Sequence, residues 1–239
     1  MLKRFTRGCA RTVLLSLIMA GSFAAADEKH TLATALGEAA PTLNAEVLDH
    51  ALAAMQCAVN NGSAPADRLA VIDYSLPSTA KRLWIFDLTK QELLLTDWVA
   101  HGRNSGSNEA KSFSNVEGSF QSSLGLFRTA ESYRGKHGYS LRMDGLEPGV
   151  NDRARERAIV IHGASYVSPS LVKTQGRIGR SLGCPAVRPE VASMVVDSLK
   201  GGQFMFAWYP DQKWLNSSAY LNCEPTKVSR LIAALDPDD

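Results

Sequence analysis

Two short segments of this 239-residue chain carry side chains able to do covalent chemistry. In Arg180-Ser181-Leu182-Gly183-Cys184-Pro185-Ala186 a cysteine follows glycine and precedes proline. Gly183 allows φ values that other residues resist and lets the backbone approach a substrate closely. Pro185 removes one donor and holds Cys184 extended. The spacing predicts a fixed, exposed loop whose Gly183 and Cys184 amides are candidate oxyanion donors. A thiol needs a base or a positive field to become thiolate near neutral pH. Ile159-Val160-Ile161-His162-Gly163 offers the base: the apolar run puts His162 at a strand end, and Gly163 then turns the chain. A Cys–His pair is a common device for acyl transfer. No acid stands out as the group that orients the ring, so the Gly163 carbonyl is the candidate. Spacing alone leaves plainer readings open, a buried thiol and a structural histidine.

The other cysteines and the first residues set the compartment. Lys3, Arg4, Arg7 and Arg11 precede an apolar run, Val13 to Ala20, and then Ala24-Ala25-Ala26. This is the pattern of a cleaved export signal, with the mature chain expected from Asp27. The apolar run is short of the roughly 20 residues that span a bilayer, so no stable membrane span is expected after cleavage. The full chain holds 26 basic and 24 acidic residues. The signal takes four of the basic ones, leaving 22 against 24, and no basic block remains to suggest nucleic-acid binding. Cys9 leaves with the signal, while Cys57, Cys184 and Cys223 remain in an oxidising compartment where cysteines pair. Three is odd. Cys57 and Cys223 lie in ordinary terminal segments, so they are expected to pair and leave Cys184 free.

Apolar content of 45% excludes overall disorder. Residues 27–41 read as a loose leader. Leu43 to Val59 carries a helical stripe, starting at Pro41-Thr42 and stopping at Asn60-Asn61-Gly62. Short apolar or alternating runs predict strands over Leu69–Tyr74, Arg82–Asp87, Glu92–Ala100, Leu124–Thr129, Arg157–His162 and Gln203–Trp208. Residues 101–122 and 131–156 read as loops, the first long enough to be functional or mobile. Pro189 to Lys200 reads as a helix with Val191, Met194, Val195 and Leu199 on one face. The divisions are therefore 1–26 signal, 27–66 leader and helix, 67–210 catalytic domain and 211–239 polar tail. About seven strands and two or three helices, not regularly alternating, predict a mainly β (α+β) sandwich or barrel-like sheet.

These pieces together resemble a known family. His101-Gly102-x-x-Ser105-Gly106, Phe113-Ser114-Asn115-x-Glu117-Gly118-Ser119, Ser122-Ser123-Leu124-Gly125 and Tyr133-x-Gly135-x-His137-Gly138 come in order. Gly145-Leu146-Glu147, Asn151-Asp152, His162-Gly163-Ala164-x-Tyr166-Val167-Ser168 and Gly179-Arg180-Ser181-x-Gly183-Cys184-Pro185-Ala186 follow. Over roughly residues 80–208 the set resembles the YkuD-type L,D-transpeptidase catalytic domain, in its second YkuD-like subfamily. It departs from the broader family in three places: Leu182 where a His is usual, Pro185 after the Cys, and a longer His-to-Cys separation. The resemblance implies a β-rich domain with the helix after the Cys, and peptidoglycan stem peptides as substrate. Cys184 would attack between an L-centre and a D-amino acid, D-alanine would leave, and a neighbouring amine would take the acyl group. With water as acceptor the enzyme would be an L,D-carboxypeptidase. Acylation by carbapenems is also implied. An exported thiol peptidase or amidase, and a wall-binding module without turnover, are the alternatives. Around the Cys184, His162, Gly183 and Gly163 core, His101 is a candidate to orient substrate, and Ser123 and Tyr166 to contact it. Arg180 is a candidate to pair with a carboxylate, and Ser181 to shape the loop. His137 reads as structural, His30 and His50 as incidental. No cofactor is expected, and the histidines and Cys184 lack close metal-ligand spacing.

Overall fold

The structure is a computed structural model that describes residues 31–223. The export signal and His30 lie outside the described residues, as does most of the expected tail. In chain order the elements are α1 (31–39), α2 (Ala45–Asn60), β1 (Arg68–Asp73), β2 (Leu83–Asp87), β3 (Glu92–Asp97), β4 (Val99–Ala100), β5 (Gly125–Gly135) and β6 (Gly138–Gly145). β7 (Val160–Gly163), α3 (Pro169–Gln175), β8 (Ala186–Val187), α4 (Pro189–Leu199), β9 (Phe204–Trp208) and α5 (Gln212–Ser217) complete them.

Nine strands form one sheet in the order β3-β2-β1-β9-β5-β6-β7-β8-β4. The β1–β9 and β7–β8 pairs are parallel and the others antiparallel. The two edge strands are separated in sequence by Trp98 alone. A sheet whose opposite edges lie one residue apart must curl back on itself, so the sheet is a nearly closed barrel. The middle strands are buried on both faces, as the unbroken burial of Leu83–Asp87 and Phe204–Trp208 shows. Continuous apolar runs are what such strands require. Trp84, Phe86, Phe127, Phe204 and Phe206 fill the core.

The helices close the barrel. The Asn44 side chain accepts from the Glu46 amide and caps α2, a better start than Pro41-Thr42 because its oxygen satisfies an otherwise unpaired donor. Val47, Leu48, Ala51, Leu52 and Met55 bury one face. Cys57 on this helix is joined to Cys223 by a disulfide, with Cα atoms 5.9 Å apart, while Cys184 is a free thiol. Among the described residues no helix is long and apolar enough to cross a membrane.

Four expectations need correction. Residues 31–39 are helical rather than a loose leader, because Leu32 and Leu36 are one turn apart and both buried. The presumed loop 131–156 contains the end of β5 and all of β6, whose outer half carries no apolar alternation because it faces solvent on both sides. The tail is packed through the described residues: Trp214 Nε1 and Ser218 Oγ donate to the buried Glu147 carboxylate at 3.0 and 2.7 Å, and Tyr220 and Leu221 lie against the core. On α4 the buried face is Ala192, Val195, Val196 and Leu199, with Met194 turned outward. Residues 101–122, expected to be functional or mobile, are held by main-chain and serine contacts that lead to the loop before β8.

Candidate active site

The parallel β7–β8 pair sets the strand carrying His162 beside the strand that follows Cys184. His162 lies opposite Ala186, two residues after Cys184. Gly163 is needed here: a Cβ on it would sit 2.9 Å from Ala192 Cβ, so its bareness lets α4 pack against β7.

The loop carrying Cys184 is braced from within. Ser181 Oγ accepts from the Gly183 amide at 3.0 Å and donates to the Cys184 carbonyl at 2.6 Å. Ser122 Oγ donates to the Gly183 carbonyl at 3.1 Å and accepts from the Gly102 amide. Gly183 has φ +125°, and a Cβ there would lie 2.9 Å from the Gln121 carbonyl and 3.0 Å from Ile159 Cδ1. The position is therefore closed to other residues by conformation and by space. One sequence expectation is corrected: the Gly183 amide is engaged by Ser181 and is not a free oxyanion donor.

Cys184 Sγ is half-buried and donates to the Ala158 carbonyl at 3.7 Å. Ala158 holds the left-handed φ of +52°, which is strained for a residue with a Cβ. Burial pushes the thiol up; the Val160 amide, the Arg157 and Lys136 charges and its own amide oppose this. Arg157 and Lys136, from outside the loop, thus supply a positive field, and burial still leaves the thiol in need of a base.

His162 is 3% exposed. Its Nδ1 lies 2.9 Å from the Gly163 carbonyl. A carbonyl can only accept, so this contact puts the proton on Nδ1 and leaves Nε2 as the atom able to take one up. Burial holds the ring below the usual histidine range, the Gly163 carbonyl opposes, and the His137 charge adds to the lowering. The ring is accordingly neutral near pH 7, the form a general base requires.

The remaining candidates divide. Tyr166 is half-buried near the thiol; burial, then the Cys184 charge, push it up to about 12. Gly179 makes room for it, since a Cβ there would meet Tyr166 Cβ at 2.4 Å. His101 is not in contact with the surface: it is 0% exposed, and its Nδ1 accepts from Arg82 at 2.7 Å. Its backbone supports the site instead, with its carbonyl accepting from the Ser181 amide at 2.9 Å. Arg180 Nη1 is taken by the Arg103 and Gly106 carbonyls at 3.1 and 2.8 Å, a loop tie rather than a carboxylate fork. Ser123 is buried, donates to the Ser114 carbonyl at 2.8 Å and accepts from Arg157.

Sequence reasoning missed Arg157 and undervalued His137. Arg157 Nη1 donates to the Ser114 carbonyl at 2.6 Å and Nη2 to the Gln121 carbonyl at 2.7 Å. Nη2 also lies 3.6 Å from where a Gly183 Cβ would be. The guanidinium is spread over neutral oxygens, so its charge remains available to the thiolate. Its sequence signal was only a basic residue at a strand start. His137, expected to be structural, stacks on His162 with ring centroids 4.5 Å apart.

A free thiol on a braced loop, next to a strand carrying a buried and singly protonated imidazole, is an arrangement suited to cysteine acyl transfer. The family profile described as the L,D-transpeptidase catalytic domain, YkuD_2, matches residues 39–208, and the chain belongs to that family. An L,D-transpeptidase from Mycobacterium smegmatis is 16% identical, over 60% of this chain and 59% of that one, at a TM-score of 0.37. The L,D-transpeptidase LdtMt1, solved in complex with imipenem, is 17% identical over 59% of each chain at 0.36. That of Stackebrandtia nassauensis is 12% identical over 84% of this chain and 98% of that one, also at 0.36. This chain spans about three-fifths of the length of the first two. No curated protein matches it.

Proposed function

We propose that this protein is an exported peptidoglycan L,D-transpeptidase working through a thioester on Cys184. The observation that carries the reading is the free Cys184 held two residues before β8, while His162 on the neighbouring β7 has its Nδ1 against the Gly163 carbonyl, which favours Nε2 as the proton acceptor. His162 takes the thiol proton, and the sulfur attacks the stem-peptide carbonyl between an L-centre and a D-amino acid. The imidazolium returns that proton to the departing amine of D-alanine. An acceptor amine then attacks the thioester, its proton passes to the sulfur, and the amide cross-link forms as the free thiol is regenerated. Tyr166 borders the path, and the Arg157 charge lowers the cost of the thiolate. Residence in the cell envelope is supported by the Cys57–Cys223 disulfide, which belongs to oxidising compartments.

Incubation with a purified disaccharide tetrapeptide tests the reading. The expected products are D-alanine and a cross-linked dimer. A tripeptide without dimer identifies an L,D-carboxypeptidase. Cleavage between sugar and peptide would make the protein an amidase, and unchanged substrate would leave it a binding module; either result contradicts the proposal.

A further inference from the structure

The β5–β6 hairpin ends in the two-residue turn Lys136-His137, closed by the Gly135–Gly138 pair. Both turn residues are exposed, whereas His162 is buried. The His137 ring nevertheless lies on the His162 ring, with centroids 4.5 Å apart and planes at 28°. The hairpin therefore reaches beyond the barrel wall and its tip covers one face of the imidazole. The cross-strand neighbours of His162 are Ser140 on β6 and Ala186 on β8, and α4 reaches Gly163 through Ala192 and Pro189. None of these four titrates near neutral pH. His137 is thus the titratable group stacked on the ring, with Lys136, Arg157, Cys184 and Tyr166 the other titratable or charged groups of this rim.

We propose that His137 is a positioning residue for the catalytic pair: it holds the His162 ring in the plane set by the Gly163 contact and, when charged, keeps that ring neutral. The inference rests on the reading of His162 as the base. Two stacked imidazoles resist being cationic together, since like charges at close range disfavour one another. Burial and the His137 charge both act to lower His162. Lys136, from the same turn, acts on Cys184 in the matching direction and favours the thiolate. One exposed hairpin turn therefore biases both partners toward their deprotonated forms and extends the working range of the site to lower pH. Because the turn stands outside the core, it can be altered without disturbing the barrel.

The test is an NMR titration of the His162 ring in the full chain, beside the pH profile of imipenem acylation. Three proteins are compared: wild type, His137→Phe and His137→Ala. Phenylalanine keeps the stacked cover and removes the charge; alanine removes both. The His162 midpoint is expected to rise in His137→Phe and to rise further in His137→Ala. The acid limb of acylation should move to higher pH in the same order. An unchanged His162 midpoint in both variants overturns the inference. A midpoint that moves while the acylation profile stays fixed upholds the ring coupling and counts instead against His162 as the base.

Discussion

Cys184 is poised by opposing effects. Burial raises its thiol, and what lowers it comes from a few named groups, among which Arg157 brings a full charge. Arg157 has carbonyl and hydroxyl partners, and burial holds it below the usual arginine range. Removing that charge should leave the thiol still harder to ionise. In Arg157→Met the midpoint of Cys184 alkylation by iodoacetamide is expected to move to higher pH, and Arg157→Lys should recover part of the shift. The Met variant should also lose about 2 kcal/mol of stability, since hydrogen bonds from a charged group are the stronger kind. A midpoint identical to wild type in Arg157→Met would remove Arg157 from the account. Ser181 acts differently: it carries no charge but ties the Gly183 amide to the Cys184 carbonyl, which fixes where the sulfur points.

At the scale of elements, the site depends on how tightly the Cys184 loop is held between β7 and the 101–122 segment. Arg103 donates from its amide to the Ser181 carbonyl at 2.8 Å, and Ser181 donates back to His101. Gly183 sits against the Gln121 carbonyl with no space for a side chain. Gly183→Ala should displace the loop by a fraction of an ångström to one ångström. Misplacement of that size costs about a hundredfold in rate. The expected result is a correspondingly slow acylation in a protein whose near-UV circular dichroism is unchanged; wild-type rates would show the loop to be more compliant than the contacts imply. What could be read from the sequence follows the same physics. The central strands were legible because burial on both faces demands unbroken apolar runs, and Cys184 and His162 were legible because glycine flanks each of them. β8 was not, since two residues carry no periodicity, and the break at Trp98 that divides the expected Glu92–Ala100 strand into β3 and β4 left no signal. α3 buries none of its residues and so leaves no stripe. The β5–β6 hairpin and Arg157 were missed for a shared reason. Their roles arise from tertiary partners, the His162 ring for one and the Ser114 and Gln121 carbonyls for the other.

The whole molecule couples the site to acid stability. His101 is fully buried behind the Cys184 loop, and burial, then the Arg82 charge, push it down to about 4. In the unfolded chain a histidine takes up its proton near pH 6.5. The unfolded state therefore binds more protons between those values, so stability rises with pH there. His101 costs nothing at pH 7, and its penalty accumulates as pH falls from about 6.5 to about 4, reaching about 3 kcal/mol. His101→Asn removes the titrating ring and keeps an acceptor for Arg82. Urea unfolding of both proteins at pH 7 and pH 4.5 should show a smaller acid loss in the variant; equal losses would dissociate His101 from acid unfolding. The disulfide acts at this scale too. Its loop closes residues 57 to 223 and ties α2 to the end of the described chain, which stabilises by up to about 5 kcal/mol in the chain-entropy model.

The central claim is that Cys184 is the atom that becomes acylated. Intact-mass spectrometry after incubation with imipenem tests it most directly. Wild type is expected to gain the mass of one imipenem molecule, located by peptide mapping to the segment holding Cys184, and Cys184→Ala is expected to gain nothing. Wild type without an adduct, or the same adduct on Cys184→Ala, would contradict the account.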